Sequence, residues 1–502
     1  MTTTPVTAPP MTSTPITTTR GIALYIGALL GPGLLLLPGL AAAEAGPASV
    51  LAWAGLLLVS ALFAVVFGAL GRVLPSGGGV AGFTSAGLGP RAGAAVRGCF
   101  LVGVVCGVPV VCVTGATYIT ELTGGDMAVR CLIAVALMLA ALGLVSRGLR
   151  ASSGAQLALV AVLIAVIVIA VAGSAPAARA ANWTPFAPGG WTSVGHAAST
   201  LMFSFFGWEA LAPLTGKFRD PGRQLPRVIG ATVLVTTVIY LSLAVATIAV
   251  LGRGAATDVP VAALLVRAAG APGRVIAAVV AVVLTLGTLN AYMSGVVAMS
   301  AGDAASFGDA ASAGDAASFG NTAFGNTAFG NTAGAAAAGS ADGAARPRGS
   351  GRTLLAVSGI AGCALTALYG LGIVTVGDLV GLPVALLLSV YAGCTLSGAR
   401  VLRGPARACA VIAFAAVVVL LAFCGWPLIL AAAVALGSVL ITARRRQGPG
   451  ARVFAFVVVF ATTAVSLPQS SRRGRMSVPP LTVVGASVVR ALSAGSRSLW
   501  RS

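Results

Sequence analysis

The stretch Gly31-Pro32-Gly33-Leu34-Leu35-Leu36-Leu37-Pro38-Gly39 constrains this chain more than any other. It lies inside an apolar run, Ile22 to Ala43, long enough to cross a bilayer. A continuous helix wants neither glycine nor proline at these places. Pro32 has no N–H to donate and its ring clashes one turn back. Gly31 and Gly33 lower the cost of a non-helical backbone. In hydrocarbon, freed N–H and C=O groups survive only where they are buried in protein or line a wet cavity. The break therefore predicts a cavity at mid-depth, and a cavity there predicts a ligand.

The rest of the chain is built for the same solvent. It is 58% hydrophobic and 8% charged, against about 25% charged residues in a soluble domain. The fold class read from this is an all-α polytopic membrane protein of about twelve transmembrane helices. The expected spans are 22–43, 48–70, 96–120, 128–146, 154–174, 193–215, 227–251, 274–300, 353–372, 376–399, 407–424 and 427–443. Val259–Ala269 is amphipathic and too short to cross, so it reads as a surface helix before the eighth span. With the N-terminus inside, the alternating loops through Arg452 place twenty Arg/Lys on the cytoplasmic side. Five fall outside, namely Arg130, Arg179, Arg253, Arg267 and Arg274. That asymmetry predicts a plasma-membrane protein with cytoplasmic termini, and the Arg/Ala/Gly bias suggests a GC-rich bacterial source. The net charge of +20 does not point to nucleic acid, because the arginines sit at the ends of apolar runs without a basic, aromatic-laced face.

Residues 1–19 are Thr- and Pro-rich, lack the basic start of a secretory signal, and read as a disordered cytoplasmic tail. Residues 20–443 form the expected transporter domain, with residues 301–352 as a low-complexity disordered cytoplasmic loop within it. In that loop Phe-Gly-Asn-Thr-Ala recurs, and such small residues cannot offset the entropy of ordering. Residues 444–502 read as a basic tail with an interfacial segment. The eight cysteines form no C-x-x-C pair and read as small packing residues; no metal site or cofactor is expected.

A second interrupted span matches the first. Gly207 precedes Pro213 by six residues in Thr200–Pro213, as Gly31 precedes Pro38 by seven. Each opens one five-span half, about 20–175 and about 190–400, with spans eleven and twelve following at about 407–443. Interrupted spans at corresponding places in two halves point to an inverted-repeat transporter with its site at the midplane. The second half-helix of the first break offers the N–H groups of Gly33, Leu34 and Leu35 to a carboxylate. The carbonyls of Phe203, Ser204 and Phe206 can accept from an ammonium. Together they describe an α-amino acid headgroup. The competing reading is that these residues merely kink packed helices.

Gly31-Pro-Gly-Leu-Leu-Leu-Leu-Pro38 resembles the first-span G-x-G-x-x-x-x-P signature of the amino acid–polyamine–organocation permeases. Phe205-Phe-Gly-Trp-Glu209 with Phe218-Arg-Asp-Pro-Gly-Arg-Gln-Leu-Pro-Arg227 is similar to the family's sixth-span F-x-G-x-E and the loop after it. Leu74-Pro-Ser-Gly-Gly-Gly79 and Leu88-Gly-Pro-Arg91 look like its second-to-third-span segment. The run Gly27–Leu40 is similar to bacterial methionine/branched-chain amino acid exporters. The resemblance implies a five-plus-five inverted-repeat core, alternating access, and substrate binding around Gly31, Pro32, Gly33, Leu34, Phe203, Ser204, Phe206 and Gly207. It also implies an aromatic gate at Phe203. Glu209 resembles a carboxylate used in proton coupling or gating; the other reading is a helix-terminal hydrogen bond. Two departures stand out: Pro32 replaces a residue with a donor, and the eighth span runs from Asn290 into the repeat tract.

Thr285 and Asn290 either line the cavity from the eighth span or bond between helices. The fifth span carries no Lys or Arg, which argues against a basic proton carrier there. His196, the lone histidine, reads as an interfacial residue rather than a relay. An enzyme is disfavoured: no H-E-x-x-H, G-x-S-x-G or P-loop occurs. The expected function is secondary transport of amino acids, neutral or apolar, by exporter, importer or exchange modes with proton coupling as one option. A non-transporting sensor or decayed paralogue of the same fold is the alternative.

Overall fold

The computed structural model describes residues 16–74, 79–147, 153–211, 218–306 and 349–443. The expected segments 1–15, most of the repeat tract, the tail 444–502, Pro213 and Lys217 lie outside the described residues. Within them the chain is helical, and its β pairing is an isolated bridge between Ile16 and Phe218.

Sixteen described helices follow in order. They are α1 (Thr18–Leu29), α2 (Gly33–Ala45), α3 (Ser49–Val73), α4 (Gly79–Leu88), α5 (Pro90–Thr123), α6 (Met127–Ser146), α7 (Ser153–Ser174) and α8 (Trp191–Leu201). Then come α9 (Trp208–Leu211), α10 (Pro221–Leu251), α11 (Pro260–Ala269), α12 (Ala271–Ser306), α13 (Gly349–Gly370), α14 (Val376–Val401), α15 (Pro405–Ala422) and α16 (Pro427–Ala443). Every expected span corresponds to one of these helices or to a broken pair. Nine described stretches are long and apolar enough to cross alone. The halves of the two broken spans and the 17-residue α16 are shorter. The short α4 was not expected; its apolar run is only ten residues long.

Local chemistry sets the ends. Asp126 caps α6 through the Val129 amide at 2.9 Å, and Asp220 caps α10 through the Arg223 amide, with Pro221 at the first helical position. Thr375 and Asp378 form a reciprocal capping box at α14. Gly124, at φ 77°, closes α5.

The 34-residue α5 is the axis of the bundle. It is about 51 Å long at 1.5 Å per residue, and it packs against α4, α6, α12, α14 and α16. Small residues let its neighbours close in. A side chain at Gly98 would collide with Ser438, and one at Gly103 with Leu387. By contrast α6 and α15 present Leu132, Leu139, Ile412 and Val419 outward, the apolar exterior that lipid requires. The expected surface helix is α11, and one face of it is buried through Val261, Ala262, Leu264 and Leu265. It lies on α2, α7 and α12.

Gly39 of α2 sits where a Cβ would stand 1.8 Å from the Thr257 carbonyl oxygen. That atom is backbone and cannot swing aside. Gly39→Ala is therefore expected to destabilise the fold by about 1–3 kcal/mol, read as a lowered unfolding midpoint of the purified protein in detergent. Gly55→Ala, whose added atom meets open space, serves as the control.

Candidate functional site

The first interruption opens where α1 stops at Leu29. Leu30 is extended, with φ −81° and ψ 94°, and Pro32 stands at the N-cap of α2. Pro38 remains inside α2 without interrupting it. The second opens where α8 tightens into a 3₁₀ turn over Met202–Phe205. Phe206 is then extended, and Gly207 has φ 153°, a region that favours glycine. Four helical residues, α9, follow before the described chain pauses.

The two interruptions face each other. A Cβ on Gly33 would lie 2.9 Å from Ser204 Oγ and 3.4 Å from the Phe203 ring. One on Gly207 would lie 2.6 Å from the Ala28 carbonyl oxygen. At Gly207 glycine is thus a requirement of close backbone approach, and at Gly33 a side chain would press on Ser204. Gly31 has open space where a side chain would be. Phe203 is half-buried, and its ring edge reaches toward Gly107 of α5, where an added Cβ would stand 3.9 Å from it.

Tyrosine hydroxyls hold the loosened backbone. Tyr240 of α10 donates to the Leu29 carbonyl at 2.7 Å and lies 2.9 Å from the Ser204 carbonyl, so one side chain reaches both breaks. Tyr118 of α5 donates to the Leu35 carbonyl at 2.7 Å. The rings of Trp53, Phe205 and Tyr240 pack edge to face around the junction, with centroids 5.2–5.9 Å apart.

The expected binding atoms divide by this geometry. The amides of Leu34 and Leu35 turn back to the carbonyls of Gly31 and Pro32, at 3.2 and 3.0 Å. Of the three amides expected for a carboxylate, that leaves Gly33 as the helix-terminal donor. The Ser204 carbonyl already accepts from Tyr240. The Ser204 hydroxyl, in contrast, is 6% exposed and has no hydrogen-bond partner among the described residues. It lies directly against Gly33.

Glu209, at the start of α9, accepts from the Gly207 amide at 2.9 Å and from the Tyr391 hydroxyl of α14 through a short bond. Tyr391 is enclosed by Phe63, Phe67 and Phe206, and the Trp208 indole donates to Ser60 of α3 at 2.9 Å. Glu209 thus caps the second break and ties it to α14, while Trp208 ties it to α3. Thr285 turns into α5 instead. Its hydroxyl donates to the Val111 carbonyl at 3.3 Å, and Gly115 makes room for it. That is about 12 Å along α5 from Gly107. Asn290, further along α12, is buried.

Sequence reasoning missed Tyr118, Tyr240 and Tyr391. The signal was available: a phenol inside an apolar run must find an acceptor.

A multi-pass helical membrane protein with two opposed helix interruptions at a common buried junction is a carrier-type architecture. The comparisons name the family. Residues 16–306 match the amino acid permease family model, and the chain belongs to that family. It is 29% identical over 286 residues to the amino acid permease YecA of Bacillus subtilis, covering 56% of this chain and 66% of that one. It is 32% identical over 232 residues to the L-methionine/branched-chain amino acid exporter YjeH of Escherichia coli, covering 44% and 53%. It is 26% identical over 267 residues to the branched-chain amino acid permease BcaP of Bacillus subtilis, covering 49% and 57%. The chain thus spans about half to two thirds of the length of these curated relatives. The family and these relatives are transporters, not enzymes.

Tyr240→Phe removes a hydroxyl from two buried carbonyls. It should lower stability by about 1–3 kcal/mol, seen as an earlier thermal transition. Tyr369→Phe, which gives up a bond to the Arg130 side chain at 3.2 Å and leaves no backbone group behind, should move the transition less.

Proposed function

We propose that this protein is a secondary transporter of neutral, apolar or thioether amino acids, working by alternating access with its N- and C-termini in the cytoplasm of a bacterial cell. The substrate headgroup lies between the two interruptions. Its carboxylate meets the Gly33 amide and the Ser204 hydroxyl; its ammonium meets free carbonyl lone pairs at Phe203 and Phe206. Phe203 closes the path over it, and Glu209 holds the second interruption in shape or gates it. The side chain of the substrate packs among Phe and Leu. The two five-span halves supply the inverted-repeat frame in which such a site sits at the midplane.

The observation that carries this reading is the Ser204 hydroxyl. It is buried and has no partner among the described residues, and it is aimed at the glycine that starts α2. A buried donor left without a partner costs about 1–3 kcal/mol, so its place at a helix N-terminus fits a ligand carboxylate. The names of the relatives support the substrate class: one is a methionine/branched-chain exporter and another a branched-chain permease.

The test is counterflow in proteoliposomes with labelled leucine and methionine, alongside arginine and putrescine. Exchange of the neutral amino acids is expected; a response confined to arginine or polyamines would refute the substrate class, and binding without exchange would mark a sensor. Ser204→Ala should weaken apparent affinity about tenfold, the equivalent of about 1.4 kcal/mol. Gly33→Ala, whose methyl would press on Ser204, should cost at least as much.

A further inference from the structure

Glu44, just past the first apolar run, is a carboxylate of α2 to which nothing above gives a task. It stands near the end of α2, eleven residues beyond Gly33. Helical side chains lean toward the helix N-terminus, so Glu44 leans back along α2 toward the break. Its Oε1 accepts from the Thr200 hydroxyl of α8 at 2.9 Å. Its Oε2 is closed off from solvent and has no hydrogen-bond partner among the described residues. The bond therefore joins the half-helix that follows the first interruption to the half-helix that precedes the second. Thr200 stands one turn before Ser204.

An enclosed carboxylate oxygen with no donor is expensive as an anion. Three ligands could relieve it: a metal ion, an ammonium or a proton. The described residues hold no group of three or more metal-ligating side chains, and none of the bonds described at Glu44 brings an ammonium to it. A proton needs no volume. The Thr200 hydroxyl suits both states, since it donates to a carboxylate and accepts from a carboxylic acid.

The neighbouring charges are few. His196, one turn before Thr200 on α8, is exposed. Its Nδ1 lies 3.2 Å from the Phe423 carbonyl. The Cys424 thiol beside α8 is engaged with Ser199. Arg253, in the turn Gly252–Ala255 that packs on α2, is exposed, as are Arg267 of α11 and Glu121 of α5; Asp258 before α11 pairs with Arg130, and Tyr118 of α5 bonds Leu35. The arginines of α3 and α10 stand at the far ends of those helices.

We propose that Glu44 is a proton-binding site at the outer end of the junction, and that its proton couples the α2–α8 contact to the external pH. This rests on the transport reading and the orientation given above. Loading neutralises the carboxyl and removes the penalty of enclosing it; unloading restores that penalty and favours separation of α2 from α8 so that water can reach Oε2.

The test compares wild type with Glu44→Gln in proteoliposomes, measuring accumulation driven by a pH gradient relative to counterflow without one. For one proton per substrate, wild type should gain about tenfold per pH unit, since each unit is worth about 1.4 kcal/mol. In Glu44→Gln the ratio should fall to about one. Accumulation at the wild-type ratio overturns the proposal, as does a response lost in His196→Gln but kept in Glu44→Gln. A second measurement does not depend on transport: the difference in unfolding midpoint between wild type and Glu44→Gln, followed from about pH 5 to about pH 8. A difference that changes with pH supports a titrating Glu44, and a constant one overturns it. A wild type that exchanges no amino acid yet shows a changing difference would remove the transport reading and keep the proton site. Should Glu44→Gln fail to fold, Thr200→Val should shift the pH of half-maximal accumulation; an unmoved midpoint counts against the proposal.

Discussion

Backbone groups released inside a membrane have to be met by protein, and the junction of this molecule is arranged around that demand. Two helices come apart within a few ångströms of each other, and side chains from three surrounding helices bond the backbone beside the breaks. Tyr118 comes from α5, Tyr240 from α10, and Tyr391 from α14 acts through Glu209. Each is buried and each approaches from a different side. Were the first span continuous, the Leu29 carbonyl would enter a helix bond and Tyr240 would lose it as an acceptor. The breaks and the tyrosines are therefore one device, although they are far apart in the chain.

Much of this was legible in the sequence. Run lengths located every span, because twenty apolar residues have few other uses. Gly31, Pro32 and Gly33 marked the first interruption, and Gly207 the second. Other features were not legible. Leu34 and Leu35 were expected to offer free amides, but a tight turn bonds them to Gly31 and Pro32. Whether the first turn of a helix closes on itself is settled by a few degrees of backbone rotation, which residue types do not report. Thr285 could have faced the cavity or a helix, and only packing decides; Gly115 receives it. The ten-residue α4 gave too short a run to count as a span. Glu44 drew no reading from the sequence, because its partner lies 156 positions away.

The distribution of small residues follows the same logic at larger scale. Hydrophobicity cannot hold helices together in a solvent as apolar as they are, so close packing and polar bonds must. Gly98, Gly103 and Gly115 let α16, α14 and α12 approach α5. Ser397 of α14 bonds the Phe83 carbonyl of α4 at 2.5 Å, and Thr84 of α4 meets Cys394. The outward faces of α6 and α15 carry few such groups and many branched aliphatics. Inside and outside are distinguished by size and polarity of tip rather than by hydropathy.

Tyr240 carries one hydroxyl hydrogen and has two carbonyls in reach, at 2.7 and 2.9 Å. It cannot serve both at full strength. The two interruptions are rivals for a single hydrogen, and the pair is frustrated at its closest point. Any displacement of α1 against α8 by a fraction of an ångström awards that hydrogen to one side and leaves the other carbonyl wanting. At this point one carbonyl is fully served only at the other's expense.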